Sequence, residues 1–152
     1  MTTPDHTARA LREAVRRLIL AQGALHDGHR PCGTPLPTPH AWALLELRRH
    51  GPMTVTALAA RINIDRTNVS RLCARMESLG EIDRAPHPDD RRARLIQLTE
   101  AGERVARSVD LSSAAHFAGV LDRLDADPTA VVNALTTLAR AIAPDLTDLE
   151  SP

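Results

Sequence analysis

The sequence predicts a mainly α-helical fold carrying one small β-hairpin, and three observations predict it. Apolar residues recur at three- and four-residue steps through most of the chain, which is the helical period. Residues 81–98 read instead as two short strands around a tip rich in Pro, Asp and Arg. Side chains able to cap a helix stand at the start of the helical runs, at Thr38, Thr54, Asp65, Thr99 and Asp127.

Taken in order, Thr7 to Leu25 places Leu11, Val15, Leu18, Ile19, Gln22 and Leu25 on one side of a long amphipathic helix. Gly28 and the prolines at 31, 35 and 37 end it and form a stiff loop. Thr38 and Pro39 open a second helix as cap and first-turn proline, running through Trp42, Leu44, Leu45 and Leu47 to Gly51. Thr54 caps a third, TVTALAARI, with Val55, Leu58 and Ile62 on one face. After a turn at Asn63 and Ile64, Asp65 caps a fourth, RTNVSRLCARMESL, which stops at Gly80. EIDRA and RLIQL pair as strands with Ile82, Ile96 and Leu98 turned inward, and the tip PHPDDRR is too long for a two-residue turn. Thr99 caps a long helix containing Val105, Val109, Phe117, Val120, Leu121 and Leu124. Asp127 and Pro128 open the last, with Val131, Val132, Leu135, Leu138 and Ile142, which stops before Pro144.

Two short helices joined by so tight a turn form a helix-turn-helix, whose second helix fits the major groove of duplex DNA. On that helix Val69, Leu72, Cys73, Met76 and Leu79 share a core-facing side. Thr67, Ser70, Arg71, Ala74 and Ser78 point the other way, with Asn68 and Arg75 on the flanks. Arg can fork onto guanine, Asn onto adenine, and Ser or Thr onto base or phosphate. Arg91 and Arg92 stand at the hairpin tip, where an arginine can lie in the narrow minor groove. Asp90 precedes Arg92 by two residues, so both side chains leave one side of the ribbon and Asp90 orients Arg92 toward the groove.

The stretch from Thr54 to Gly102, above all DDRRARLIQLTEAG, resembles the winged helix-turn-helix of the MarR family of bacterial transcription regulators. The family's Asp-x-Arg wing and following Leu-Thr-x-x-Gly fall on Asp90, Arg92, Leu98, Thr99 and Gly102. The resemblance implies one domain over residues 1–152, with a winged helix-turn-helix at 38–98 and a long connecting helix at 99–124. Residues 7–25 and 127–143 would be dimerisation helices. It also implies a homodimer on a pseudo-palindromic operator, a repressor more than an enzyme, and modulation by a small-molecule inducer.

Composition fits that expectation. A chain of 152 residues makes one compact domain, and 43% hydrophobic content can fill a core. No apolar run approaches the ~20 residues of a membrane span and no signal peptide opens the chain. Two cysteines supply no disulfide framework, so a reducing cytoplasm is expected. The net charge is zero but unevenly spread: residues 61–94 hold eight Arg against six acids, and residues 99–152 hold four against nine. With Asp65 assigned to a cap and Asp90 to Arg92, the groove-facing surface is more positive than the tally. Only Trp42 and Phe117 could stack bases, which disfavours single-strand binding.

The effector is less legible. His26, His29 and Cys32 follow at three-residue steps in the loop after the first helix, His40 opens the second, and His116 lies on the stripe of the fifth. In the resembled family the junction of helices 1, 2 and 5 binds inducers, so His26, Cys32, His40, Trp42 and His116 are the pocket candidates. No cofactor is required. Zinc remains open, with His26, His29, Cys32, His40 and His116 as ligand types, though no paired-cysteine spacing supports it. Oxidation of Cys32, if Arg30 and the histidines favour its thiolate, is the other alternative. Cys32 with a nearby histidine lacks the accompanying features of an enzyme site.

Overall fold

The computed structural model describes residues 4–23 and 33–147. Its order is α1 (Pro4–Ala21), α2 (Thr38–His50), α3 (Val55–Ile62), α4 (Arg66–Ser78), β1 (Ile82–Pro86), β2 (Arg94–Leu98), α5 (Glu100–Leu121), α6 (Pro128–Ile142) and α7 (Pro144–Thr147).

Local chemistry starts four of the helices. The Thr54 hydroxyl accepts from the Ala57 amide, Asp65 from the Asn68 amide, Thr99 from the Gly102 amide, and Asp127 from the amides of Thr129 and Ala130. Each satisfies donors that a helix leaves open in its first turn. Helix α2 departs from expectation. The Pro37 carbonyl accepts from the Ala41 amide, so the helix begins one residue earlier, Thr38 lies inside it and Pro39 is second. Thr38 therefore caps nothing, and its Oγ1 is buried without a partner. Asn63 ends α3 in the left-handed conformation (φ 53°), which folds α4 back against it.

The core lies between α2, α3, α4, the hairpin and the first half of α5. Leu44 and Leu47 of α2 meet Leu58 and Ile62 of α3, Val69, Cys73 and Met76 of α4, Ile82 and Ile96 of the strands, and Ala106 and Val109 of α5. Leu72 and Leu98 are only partly buried. Leu79, expected inside, is 55% exposed at the C-cap of the helix, the last residue before the chain turns away at Gly80. Trp42, expected in the α2 core, is 44% exposed, since Ala41, Ala43, Leu44 and Leu47 fill the inward face.

The strands pair antiparallel from Ile82 opposite Leu98 to Pro86 opposite Arg94. Met53 exchanges both backbone hydrogen bonds with Ile96, at 3.1 and 2.8 Å, and so ties the hairpin to the connection between α2 and α3. Thr99 fastens the other end: its amide donates to the Glu81 carbonyl and its hydroxyl to the Gly80 carbonyl, at 2.9 and 2.5 Å. Gly102 sits against this junction, where an added Cβ would lie 1.9 Å from the Glu81 carbonyl oxygen.

The terminal helices differ in character from this core. α1 spans Pro4–Ala21 instead of 7–25, Gly23 turns the chain at φ 69°, and Leu25 lies outside the described residues. Neither α1 nor α6 shares an extended interface with the helix-turn-helix among the described residues. Leu11, Leu18 and Ile19 of α1, Phe117 and Leu121 of α5, and Val132, Leu135 and Ile142 of α6 are exposed. A single turn, α7, follows Pro144 where the chain was expected to stop being helical. No helix among the described residues is long and apolar enough to cross a membrane.

Candidate nucleic-acid interface

The exposed side of α4 and the adjoining strand build a cleft of about 440 Å³, lined by Val55, Arg66, Thr67, Ser70, Arg71 and Arg84. Its floor is fixed because α4 is clamped at both ends. Asp65 holds the start with both carboxylate oxygens, receiving the Asn68 amide at 3.0 Å and the Asn68 side chain at 2.5 Å. These bonds, led by the backbone one, keep the Asp65 carboxyl below its usual pKa. At the far end the Leu79 amide closes onto the Arg75 carbonyl and Gly80 turns away at φ 72°.

Thr67, Ser70 and Arg71 are exposed and share this cleft, as the helical period requires. Asn68 and Arg75 do not join them. Asn68 is committed to the Asp65 cap and receives a long 3.4 Å contact from Arg71 Nη1. Both residues line a second cavity on another side of α4. Arg66 and Arg84 are the cationic members that sequence reasoning left out. Arg66 was hidden by its place in the first turn, and Arg84 belongs to a strand whose distance to the helix is set only by the fold. The Arg84 guanidinium also reaches Glu77 of α4 at 3.1 Å.

At the hairpin tip Asp90 does contact Arg92, but through the backbone: its Oδ1 accepts the Arg92 amide at 2.8 Å, and its carbonyl accepts the Ala93 amide. The Asp89 amide donates to His87 Nδ1, and the His87 amide donates to the Ala93 carbonyl. The carboxylate thus shapes the turn and leaves the guanidinium unheld. Arg91 and Arg92 are exposed and have no carboxylate partner among the described residues.

The described effector candidates do not share one cavity. His26, His29 and Cys32 lie outside the described residues. His40 is 4% exposed and its Nε2 meets Glu81 Oε2 at 2.5 Å, a pairing no sequence signal announced. Trp42 lines a shallow cavity with Glu46, Arg61, Ile62, Asn63 and Leu146. His116 is exposed, edge-on to Phe117 with ring centroids 5.4 Å apart, and beside Gly33. Among the described residues no three His, Cys, Asp or Glu side chains gather as a metal would need. Cys73 is fully buried in the core, which pushes its thiol pKa up. The second cavity, about 330 Å³, is walled by Pro37, Pro39, His40, Ile64, Asn68, Val69, Leu72 and Arg75. It joins the start of α2 directly to α4.

Residues 34–93 match the sequence pattern of the MarR family. A transcriptional regulator of the helix-turn-helix type from Mycobacterium tuberculosis is 36% identical over 66 residues, 43% of this chain and 46% of that protein. The aligned stretch thus spans about half the length of that relative. The PcaV transcriptional regulator of Streptomyces coelicolor, solved with its natural ligand, is 26% identical, with 94% of this chain and 93% of that one covered and a TM-score of 0.60. Sco3205, a MarR family transcriptional regulator of the same organism solved with DNA, superposes with a TM-score of 0.71 over 94% of this chain and 88% of its own. At 23% identity, that last likeness concerns the fold.

Proposed function

The chain belongs to the MarR family, and from that premise we propose that it is a duplex-DNA-binding transcription regulator, a homodimeric repressor on a pseudo-palindromic operator. The observation that carries this reading is the cleft on α4, where Thr67, Ser70 and Arg71 lie exposed between Arg66 and Arg84. α4 enters the major groove, Arg71 and the hydroxyls meet base edges or phosphates, and Arg91 and Arg92 follow the wing into the adjoining minor groove. Asp90 serves the same surface by closing the turn that presents Arg92.

The dimer is supported by the apolar surface of α1, α5 and α6, which a single chain leaves in water. Intertwining residues 7–25 and 127–143 of two copies about a two-fold axis covers it, with residues 99–124 linking that handle to the reading head. Modulation by a small molecule fits the cavity between α2 and α4, because a ligand there touches the reading helix through Asn68, Leu72 and Arg75. Such a ligand shifts DNA affinity only by its differential affinity for the two forms.

Selection of bound duplexes from a random pool, paired with sedimentation, tests the proposal. The expected result is a two-fold related pair of half-sites about 34–36 Å apart and a dimer at micromolar concentration. Equal affinity for every duplex at moderate salt, or a monomer, overturns it. Val132→Asp with Leu135→Asp should break the dimer and weaken operator binding together.

A further inference from the structure

One acidic residue is out of place on the proposed DNA-facing side. Glu77 stands in the last turn of α4, where the helix dipole disfavours a negative charge, and close to a surface that must approach phosphates. It is not buried, and among the described residues its carboxylate holds one partner, the Arg84 guanidinium, at 3.1 Å. Arg84 is the strand-borne wall of the cleft that also holds Arg66 and Arg71. Both partners are partly open to solvent, at 35% for Arg84 and 43% for Glu77, so the pair adds little to the stability of the fold.

We infer that Glu77 is a built-in competitor for phosphate: it holds Arg84 in the free protein and hands it to the nucleic-acid backbone when the duplex seats in the cleft. The inference rests on the DNA-binding reading above. Its consequence follows from ion counting. A cation that meets a phosphate displaces a counterion from the duplex, which steepens the fall of affinity with salt. Here Glu77, left alone after the handover, gathers a cation and cancels that gain. Arg84 therefore adds no net non-specific grip, and the protein relies more on the groove contacts of α4.

Affinity for a short random-sequence duplex, followed by fluorescence anisotropy from about 50 to 200 mM salt, tests this. Wild type and Arg84→Ala should show the same log–log slope. Glu77→Gln should bind tighter at low salt and be steeper by about 0.9, so its loss of affinity over that range is about 3.5-fold greater. Glu77→Gln combined with Arg84→Ala should return to the wild-type slope, and Glu77→Gln with Arg84→Lys should stay steep. A Glu77→Gln protein with unchanged slope overturns the handover. A double variant with Arg84→Ala that remains steep also overturns it, because Glu77 then acts by general repulsion. Thermal melting of each variant should stay near wild type, and a large loss would make the pair a structural strut. If wild type binds no duplex at low salt, the function reading fails instead, and this inference falls with it.

Discussion

His40 and Glu81 lie 41 residues apart in the chain and meet in the interior, imidazole Nε2 to carboxylate Oε2 at 2.5 Å. The contact joins the first turn of α2 to the junction between α4 and β1, so it braces α4 and the hairpin against α2. Both side chains are at least nine-tenths buried, so removing one leaves the other unpaired in a poorly solvated site. Glu81→Ala should therefore cost about 3–5 kcal/mol in urea unfolding. His40→Leu with Glu81→Leu should recover much of that loss, because no lone polar group remains.

The glycines at the two ends of the same junction should respond differently. Gly80 has φ 72° with open space around it, so Gly80→Ala should cost about 1 kcal/mol from backbone strain alone. Gly102→Ala puts a methyl group 1.9 Å from the Glu81 carbonyl oxygen, and backbone must move to admit it. Its cost should be near the upper end of overpacking, about 3 kcal/mol. Paired denaturation curves rank the two.

The Asp65 cap has a pH signature of known sign. Hydrogen bonds from Asn68 lower its carboxyl pKa in the folded protein, so its contribution to stability is complete above the unfolded value. That contribution is lost as the pH falls through the ordinary carboxylate range to the lowered folded value. Asp65→Asn keeps an acceptor at the cap without a titrating group. The stability difference between wild type and Asp65→Asn should thus shift toward the variant on acidification, and a constant difference from neutral to acid pH would contradict the cap's role.

Arg71 and Arg92 should fail in different ways on DNA. Arg71→Ala should relax base preference at defined positions, by about 1–3 kcal/mol if the contact is bidentate. Arg92→Ala should act at A·T-rich flanks, where groove width is read. Asp90→Ala should resemble a weaker Arg92→Ala, because the turn loosens while the guanidinium stays. Asp90→Asn should retain most binding, since its amide oxygen can still accept the Arg92 amide. Binding-site selection with each variant separates these outcomes.

Features written in neighbouring residues were legible in the sequence, and those made by distant ones were not. Thr54, Asp65, Thr99 and Asp127 announce their helices because a cap needs only a side-chain oxygen and an amide two or three residues on. The inward strand positions Ile82 and Ile96 follow from alternation, as Val69, Cys73 and Met76 follow from the helical period. Thr38 misled because two prolines flank it and the carbonyl of the earlier one starts the helix. Trp42 departs from its expected place in the α2 core because small Ala41 and Ala43 occupy the close approach. His40 with Glu81, Met53 with Ile96 and Arg84 with Glu77 leave no local pattern, since each pair is brought together only by the tertiary fold. The helical period brings Thr67, Ser70 and Arg71 onto one exposed cleft and leaves the flanking Asn68 and Arg75 on another cavity, whereas Arg84 joins the cleft only through the tertiary fold.

The exchange of hydrogen bonds between Met53 and Ile96 makes the hairpin a lever with its pivot at one end. Near the pivot, Ile82 and Ile96 are locked into the core; beyond it, the exposed tip is shaped by the Asp90 turn and by backbone bonds to neighbouring Ala93. A lever of this kind swings its tip through an arc while its root barely moves. On the proposed DNA-binding reading, the wing follows grooves of different width by rotation alone, leaving α4 undisturbed, and small shifts at Met53 are magnified at Arg92.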